Sequence, residues 1–317
     1  MFRSPINSVI LHDSVDVAQM FKRSFPIKYH EPLFRPPAEA DSLIFQITYG
    51  CSWNKCAFCE MYTTKHFSVR KEEEVLNEIR EASSIFPDTR RIFLADGNPM
   101  VLSPDKLIRV LHAIQQSFPK AKRISTYALP GDLRSKTVEE LEELKNAGLK
   151  TLYVGIESGD DEVLKMNNKS ETFDSTVEGL QKAKEAGMKL SLMILNGLGG
   201  LNYSRQHAEN TARLVNIIQP ELLSSLVLSF PFGKSHFRSR FQGNYVSMEI
   251  MNLLREMQIF ISNTQLQNTI FRSDHASNYL VLNGVLGKDK QLMLDDLERA
   301  LHDPKKAGLR PEWMRGL

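Results

Sequence analysis

The sequence predicts an α/β fold built on a parallel sheet. From residue 41 to about 235, strand-like and helix-like stretches alternate. Two of the helical stretches stop at glycines, Gly148 and Gly187, in the position that favours a left-handed C-terminal cap. Helices of this length between strands imply right-handed βαβ crossovers. Six such units are counted, too few to close an eight-fold barrel.

Residues 1–40 read as an extended arm. Pro26, Pro32, Pro36 and Pro37 break regular structure, while Phe25, Tyr29, Leu33 and Phe34 offer apolar surface to bury on the main domain. The run 43–49 is apolar and β-branched, hence a buried strand, followed by a cysteine-bearing loop and a helix near 70–86. Arg91–Ala95 is the second strand. Ser103 and Pro104 then start a helix as N-cap and first-turn proline, running to about Ser117. The third strand is Arg123–Tyr127, the next helix 136–147, and the fourth strand Thr151–Ile156. Helix 172–186, strand Leu190–Leu195, helix 203–218 and strand Leu222–Ser229 complete the alternation. Beyond about 235 it stops. Ser247–Asn263 reads as a helix, His275–Leu282 as a loop or short strand, and Lys288–Leu301 as a last helix. The expected division is an arm (1–40), a core (41–235) and a mainly helical extension (236–317) covering the open side of the sheet.

The 317 residues are 42% hydrophobic and 25% charged, ordinary values for a soluble globular protein. A net charge of +2 gives nucleic-acid binding little support. Met1-Phe2-Arg3-Ser4-Pro5 leads into no sustained apolar core of a signal peptide, and no run is long enough to span a bilayer. A cytoplasmic location is the default expectation.

The chemistry concentrates in Thr48–Tyr62, which holds every cysteine of the chain: Cys51, Cys56 and Cys59. Three grouped cysteines fit a reducing compartment better than a disulfide scaffold. They could be buried hydrophobes, since free cysteine is often buried. They could bind zinc with His66 as fourth ligand, although the second cysteine pair common in zinc ribbons is missing. They could hold a cubane iron–sulfur cluster, which usually takes four thiolates, so that three leave one iron open.

With Phe58 just before the last cysteine, this loop resembles the radical S-adenosylmethionine (SAM) superfamily. Family members hold a [4Fe-4S] cluster on three cysteines, and SAM chelates the fourth iron. The commonest family spacing is three residues, then two; here four residues separate Cys51 from Cys56 and two separate Cys56 from Cys59. Gly155-Ile156-Glu157-Ser158-Gly159 and the following Asp161–Lys169 resemble the members related to coproporphyrinogen dehydrogenase and the methylthiotransferases. Asn196-Gly197-Leu198-Gly199-Gly200 resembles the family's glycine-rich segment, with Gly199 in place of the usual proline. The likeness covers about 43–232. It implies a partial (β/α)6 TIM-like barrel with its site at the C-terminal strand ends.

The resemblance also implies site residues. Phe58 packs near the adenine. Asp96, Gly97 and Asn98 follow the second strand, where the family binds the SAM amino group; Asp96 can accept from an ammonium. Ser125 and Thr126 are candidates for the SAM carboxylate, with the facing one left open by alternation. Glu157 is expected at the SAM ribose or amino group. Gly197 permits close backbone approach, and Leu226 and Leu228 flank the adenine. The implied reaction begins with one electron from a donor such as flavodoxin or ferredoxin. SAM is then cleaved to methionine and a 5′-deoxyadenosyl radical, which abstracts hydrogen from a substrate. A small metabolite is favoured as substrate over RNA. The other function class is a non-catalytic zinc or iron–sulfur protein. Arg272, His275, Asn278 and Tyr279 lie in a cluster of mixed polar residues suited either to a substrate or to a capped turn.

Overall fold

The computed structural model describes residues 26–230 and 233–315. Its strands are β1 (Leu43–Gln46), β2 (Thr48–Tyr49), β3 (Ser68–Val69), β4 (Arg91–Ala95), β5 (Arg123–Ala128), β6 (Leu149–Glu157), β7 (Lys189–Asn196), β8 (Leu222–Val227), β9 (Thr269–Arg272) and β10 (Asn283–Leu286). Its helices are α1 (Glu72–Ile85), α2 (Pro104–Ser117), α3 (Pro130–Arg134), α4 (Val138–Asn146), α5 (Asp161–Met166), α6 (Phe173–Glu185), α7 (Gly200–Ile218), α8 (Ser235–Arg240), α9 (Ile250–Asn263) and α10 (Lys290–His302).

The main sheet runs β1-β4-β5-β6-β7-β8-β9-β10. Neighbours are parallel from β1 to β9, and β10 lies antiparallel on β9. β1 and β10 are edges, so the sheet stays open. The six expected parallel strands form, and β9 adds a seventh. Sequence periodicity misses β9 because four residues with buried and exposed positions alternating carry almost no signal. Residues 269–286 therefore prolong the sheet. The expected first strand 43–49 splits: β1 joins the sheet, while β2 turns away to pair with β3 in a two-stranded ribbon. That ribbon brackets the cysteine loop.

Strand alternation sorts the side chains. Phe45, Ile92, Leu94, Leu152 and Leu190 face the helices in the main core. Ile44, Phe93 and Ala95 face the concave side, with Tyr127 and Tyr153 against them. The arm lies on that concave side too. Tyr29 and Leu33 pack on Ile44 and its neighbours. The Gln46 amide accepts from His30 N–H at 2.8 Å and donates to His30 O at 3.0 Å. Lower down, fully buried Glu39 accepts from the Tyr153 hydroxyl at 2.6 Å and pairs with Arg123 at 2.9 Å. The rest of the expected arm, residues 1–25 with Phe25, lies outside the described residues.

Candidate active site

The cysteine loop is held from below by the turn after β4. Asp96 is fully buried. Its Oδ2 accepts from Gly50 N–H at 3.1 Å and from Lys65 Nζ at 2.8 Å, and its Oδ1 accepts from Gln46 at 3.2 Å. The Asn98 side chain accepts from Ser52 N–H at 2.9 Å and donates to Ser52 Oγ at 2.8 Å and to Asp132 at 2.9 Å. Gly97 N–H donates to Gly50 O at 3.0 Å. The sequence expectation placed Asp96, Gly97 and Asn98 against SAM. In the structure their polar groups are spent on the cysteine loop, because two buried turns must satisfy each other's donors and acceptors.

Cys51, Cys56 and Cys59 are half-buried, unpaired thiols. Burial pushes Cys56 up to about 12 and Cys59 up to about 11, and the thiols raise one another further. Without a cation, such thiols stay protonated; a metal centre supplies the positive charge that burial denies them. Among the described residues, no three Cys, His, Asp or Glu side chains close around a single ion, and His66 is exposed. A cubane asks for something else, one thiolate on each of three irons. Three neighbouring thiols beside a buried cation, Lys169, fit that demand.

Glu157 ends β6 in the left-handed region, at φ +63°, a strained conformation for a residue with a Cβ. Its Oε1 folds back to 2.1 Å from where a Cβ on Gly155 would stand, so a side chain there would push the Glu157 carboxylate out of this position. Lys169 Nζ donates to Gly155 O at 2.8 Å and stands 3.9 Å from Glu157 Oε1, with both side chains almost fully buried. Burial pushes the Glu157 carboxyl up, and Lys169 opposes that. Burial pulls the Lys169 ammonium down, but Glu157 outweighs it, helped by Glu171 and by the cysteines when they are thiolates, so the net shift is upward. Sequence reading assigned Lys169 no role. A lysine in a polar stretch looks solvated until the fold buries it.

The remaining expected residues divide. Ser125 is level with Phe93 and so faces the concave side, with a buried hydroxyl that has no partner. Thr126 faces the helices and donates to Leu94 O at 2.9 Å, which takes it away from any ligand in the barrel. Leu226 is level with Leu195 on the concave face. Phe58 and Leu228 share one apolar cluster with Val163, Leu198 and Phe241. Gly197, at φ +87°, opens the loop after β7. Tyr127, which sequence reading passed over, stands at the concave surface between the Phe93 and Tyr153 rings, 5.1 and 6.3 Å away.

The 272–279 segment is engaged within the chain. Asn278 is buried and donates to Ser225 O at 2.8 Å. His275 Nδ1 meets Ser277 Oγ at 2.9 Å, and burial lowers its pKa. The Tyr279 ring lies 3.9 Å from the Arg315 guanidinium. Arg272 pairs with Asp274 at 3.5 Å, both exposed. Asn278 ties the segment to β8, and Tyr279 ties it to Arg315 near the C-terminus. Asn278→Ala is expected to cost about 1–3 kcal/mol of stability, read by urea denaturation, with SAM cleavage unchanged. Loss of cleavage in a stably folded variant would return the segment to the site.

An open parallel sheet with a three-thiol loop and a buried carboxylate at its strand ends has the TIM-like fold class, with a donor set suited to an iron–sulfur cluster. The chain belongs to the radical SAM superfamily, whose family model matches residues 45–215. The superfamily's cofactors, a [4Fe-4S] cluster and SAM, come with that membership. The chain is 26% identical over 168 residues to the heme chaperone HemW of Bacillus subtilis, covering 52% of this chain and 44% of that one. It is 24% identical over 176 residues to an oxygen-independent coproporphyrinogen III oxidase of Helicobacter pylori, covering 53% and 38%. It thus spans less than half the length of these relatives. Among solved structures, coproporphyrinogen III oxidase (HemN) from Escherichia coli superposes with a TM-score of 0.53 at 19% identity, covering 70% of this chain and 52% of that one. That likeness is one of fold. No helix among the described residues is long and apolar enough to cross a membrane.

Proposed function

We propose that this chain reductively cleaves SAM and directs the resulting radical to a C–H bond of a small molecule on the concave face. The carrying observation is the buried Glu157–Lys169 pair, within electrostatic reach of all three cysteines at the strand ends. The bound cluster and SAM supply the electron transfer and the 5′-deoxyadenosyl radical. The chain's own residues bind and orient. Cys51, Cys56 and Cys59 would hold the cluster. Glu157 would accept from the ribose hydroxyls or the amino group, and the Gly197 backbone would approach the ligand closely. Phe58, Leu226 and Leu228 would flank the adenine, and Ser125 would use its unpartnered hydroxyl. Phe93, Tyr127 and Tyr153 make a largely apolar floor, which excludes water from a radical. The net charge of +2 supports a small molecule over RNA. The electron would come from a carrier such as flavodoxin or ferredoxin.

The test is Glu157→Gln. Losing a charged hydrogen bond is expected to weaken SAM binding by about 1.5–3 kcal/mol while iron content is retained. Unchanged affinity in a titration of reconstituted protein removes Glu157 from the site. The rival reading, a non-catalytic metal protein, is judged by anaerobic purification. A brown protein that releases 5′-deoxyadenosine under reductant supports catalysis; a colourless zinc protein refutes it.

A further inference from the structure

The buried face of α9 is apolar except at one position. Leu253, Leu254, Met257, Phe260 and Ile261 fill it, and Glu256 stands among them, also buried. A carboxylate in that setting costs several kcal/mol of desolvation, which a leucine would avoid. Its partners show what it does there. Oε1 accepts from Gly197 N–H at 2.6 Å. The chain around Glu256 grips the same loop: Tyr245 OH donates to Gly197 O at 2.9 Å, and Asn196 donates to Leu253 O at 3.2 Å. A Cβ on Gly197 would stand 2.8 Å from Leu253, so the fit leaves the loop no slack on that side.

A second connection runs from Glu256 to the turn carrying Glu157. His207 Nε2 lies 3.7 Å from Glu256 Oε1, and His207 Nδ1 meets Ser158 Oγ at 2.8 Å. Ser158 Oγ also accepts from Asp160 N–H at 3.0 Å. With the ring hydrogen on Nε2, Ser158 Oγ donates to Nδ1 and the ring N–H faces the carboxylate; with it on Nδ1, the ring donates to Ser158 Oγ, and in either tautomer His207 lies between Ser158 and Glu256. The whole chain is buried: Ser158 is inaccessible, and His207 and Glu256 are 3% and 2% exposed. No nucleophile in it can reach a substrate.

We infer that Glu256 is a positioning residue for SAM: it sets the Gly197 backbone directly and, through His207 and Ser158, couples that loop to the turn that carries Glu157. Glu256 lies outside residues 45–215, so the C-terminal part of the chain reaches the cofactor loops through it. The inference rests on the reading of Gly197 and Glu157 as SAM-facing.

The experiment titrates SAM into the anaerobically reconstituted 317-residue chain carrying Glu256→Leu, Glu256→Asp or Glu256→Gln, with Glu157→Gln alongside. Iron content and thermal unfolding are measured on each. Glu256→Leu is expected to bind SAM about tenfold more weakly with its iron intact, the effect of a single lost hydrogen bond. Glu256→Asp, which keeps the charge but draws it back by one methylene, carries the same expectation if the leucine variant fails to fold. Glu256→Gln keeps an oxygen acceptor for Gly197 N–H and is expected within about threefold of the parent chain. A glutamate serving the fold alone gives the opposite pattern, with melting temperatures falling while SAM affinity holds. That result overturns the inference. If only the Glu256 variants bind SAM normally, the positioning role falls and the site stands; if Glu157→Gln binds normally as well, both fall.

Discussion

Replacing any one of Cys51, Cys56 or Cys59 with alanine is expected to abolish reductive SAM cleavage and to strip most iron from the protein. The chain has no spare thiol: these are its only cysteines. Asp96, beneath the loop, is engaged by Lys65, Gln46 and Gly50. The neighbouring thiols also feel one another's charge, so the loss of one changes the setting of the other two. Iron analysis and 5′-deoxyadenosine production under reductant check the expectation. Parent-like cleavage in a variant lacking all three cysteines sinks the assignment of the site.

Gly97→Ala is expected to do nearly as much damage without touching a ligand. A Cβ there would stand 2.7 Å from Cys51 Cβ and 2.8 Å from both Cys51 Cα and Gly50 O. Two of those atoms are backbone, so no side-chain rotation relieves the clash. The loop must move, and the Gly97 N–H to Gly50 O bond goes with it. Overpacking of this kind costs about 1–3 kcal/mol of stability. The larger effect falls on the cluster, since Cys51 is the residue displaced. A severalfold loss of bound iron at modest thermal destabilisation is expected. Full iron loading in Gly97→Ala would show that the loop adapts and that the close contact with Cys51 carries no weight.

The residues after β4 show what a local signal leaves open. Asp96, Gly97 and Asn98 stand in the right place after the right strand, and the resemblance set them against SAM. Position along a strand end is visible in sequence, but the direction of a side chain is not. Asp96 and Asn98 turn under the cysteine loop because its amides are buried and need acceptors there. Ser125 and Thr126 were equivalent by sequence. The register of β5 on β4 separates them, putting Ser125 level with Phe93 and Thr126 level with Leu94.

By itself, the sequence determined the alternating parallel core, the cysteine triplet and the carboxylate at Glu157. These are local properties: apolar runs of strand length, glycines where helices stop, and residues that are neighbours in the chain. Only the tertiary structure decided what depends on distant segments meeting. It buried Lys169 against Glu157, carried the short β9 onto β8, brought Asn278 to Ser225 O and set Tyr279 against Arg315. It also brought Glu256 to Gly197, 59 positions earlier in the chain. Each of these is a charge or a hydrogen bond whose worth depends on burial. Burial belongs to the packed molecule, so no window of the sequence contains it.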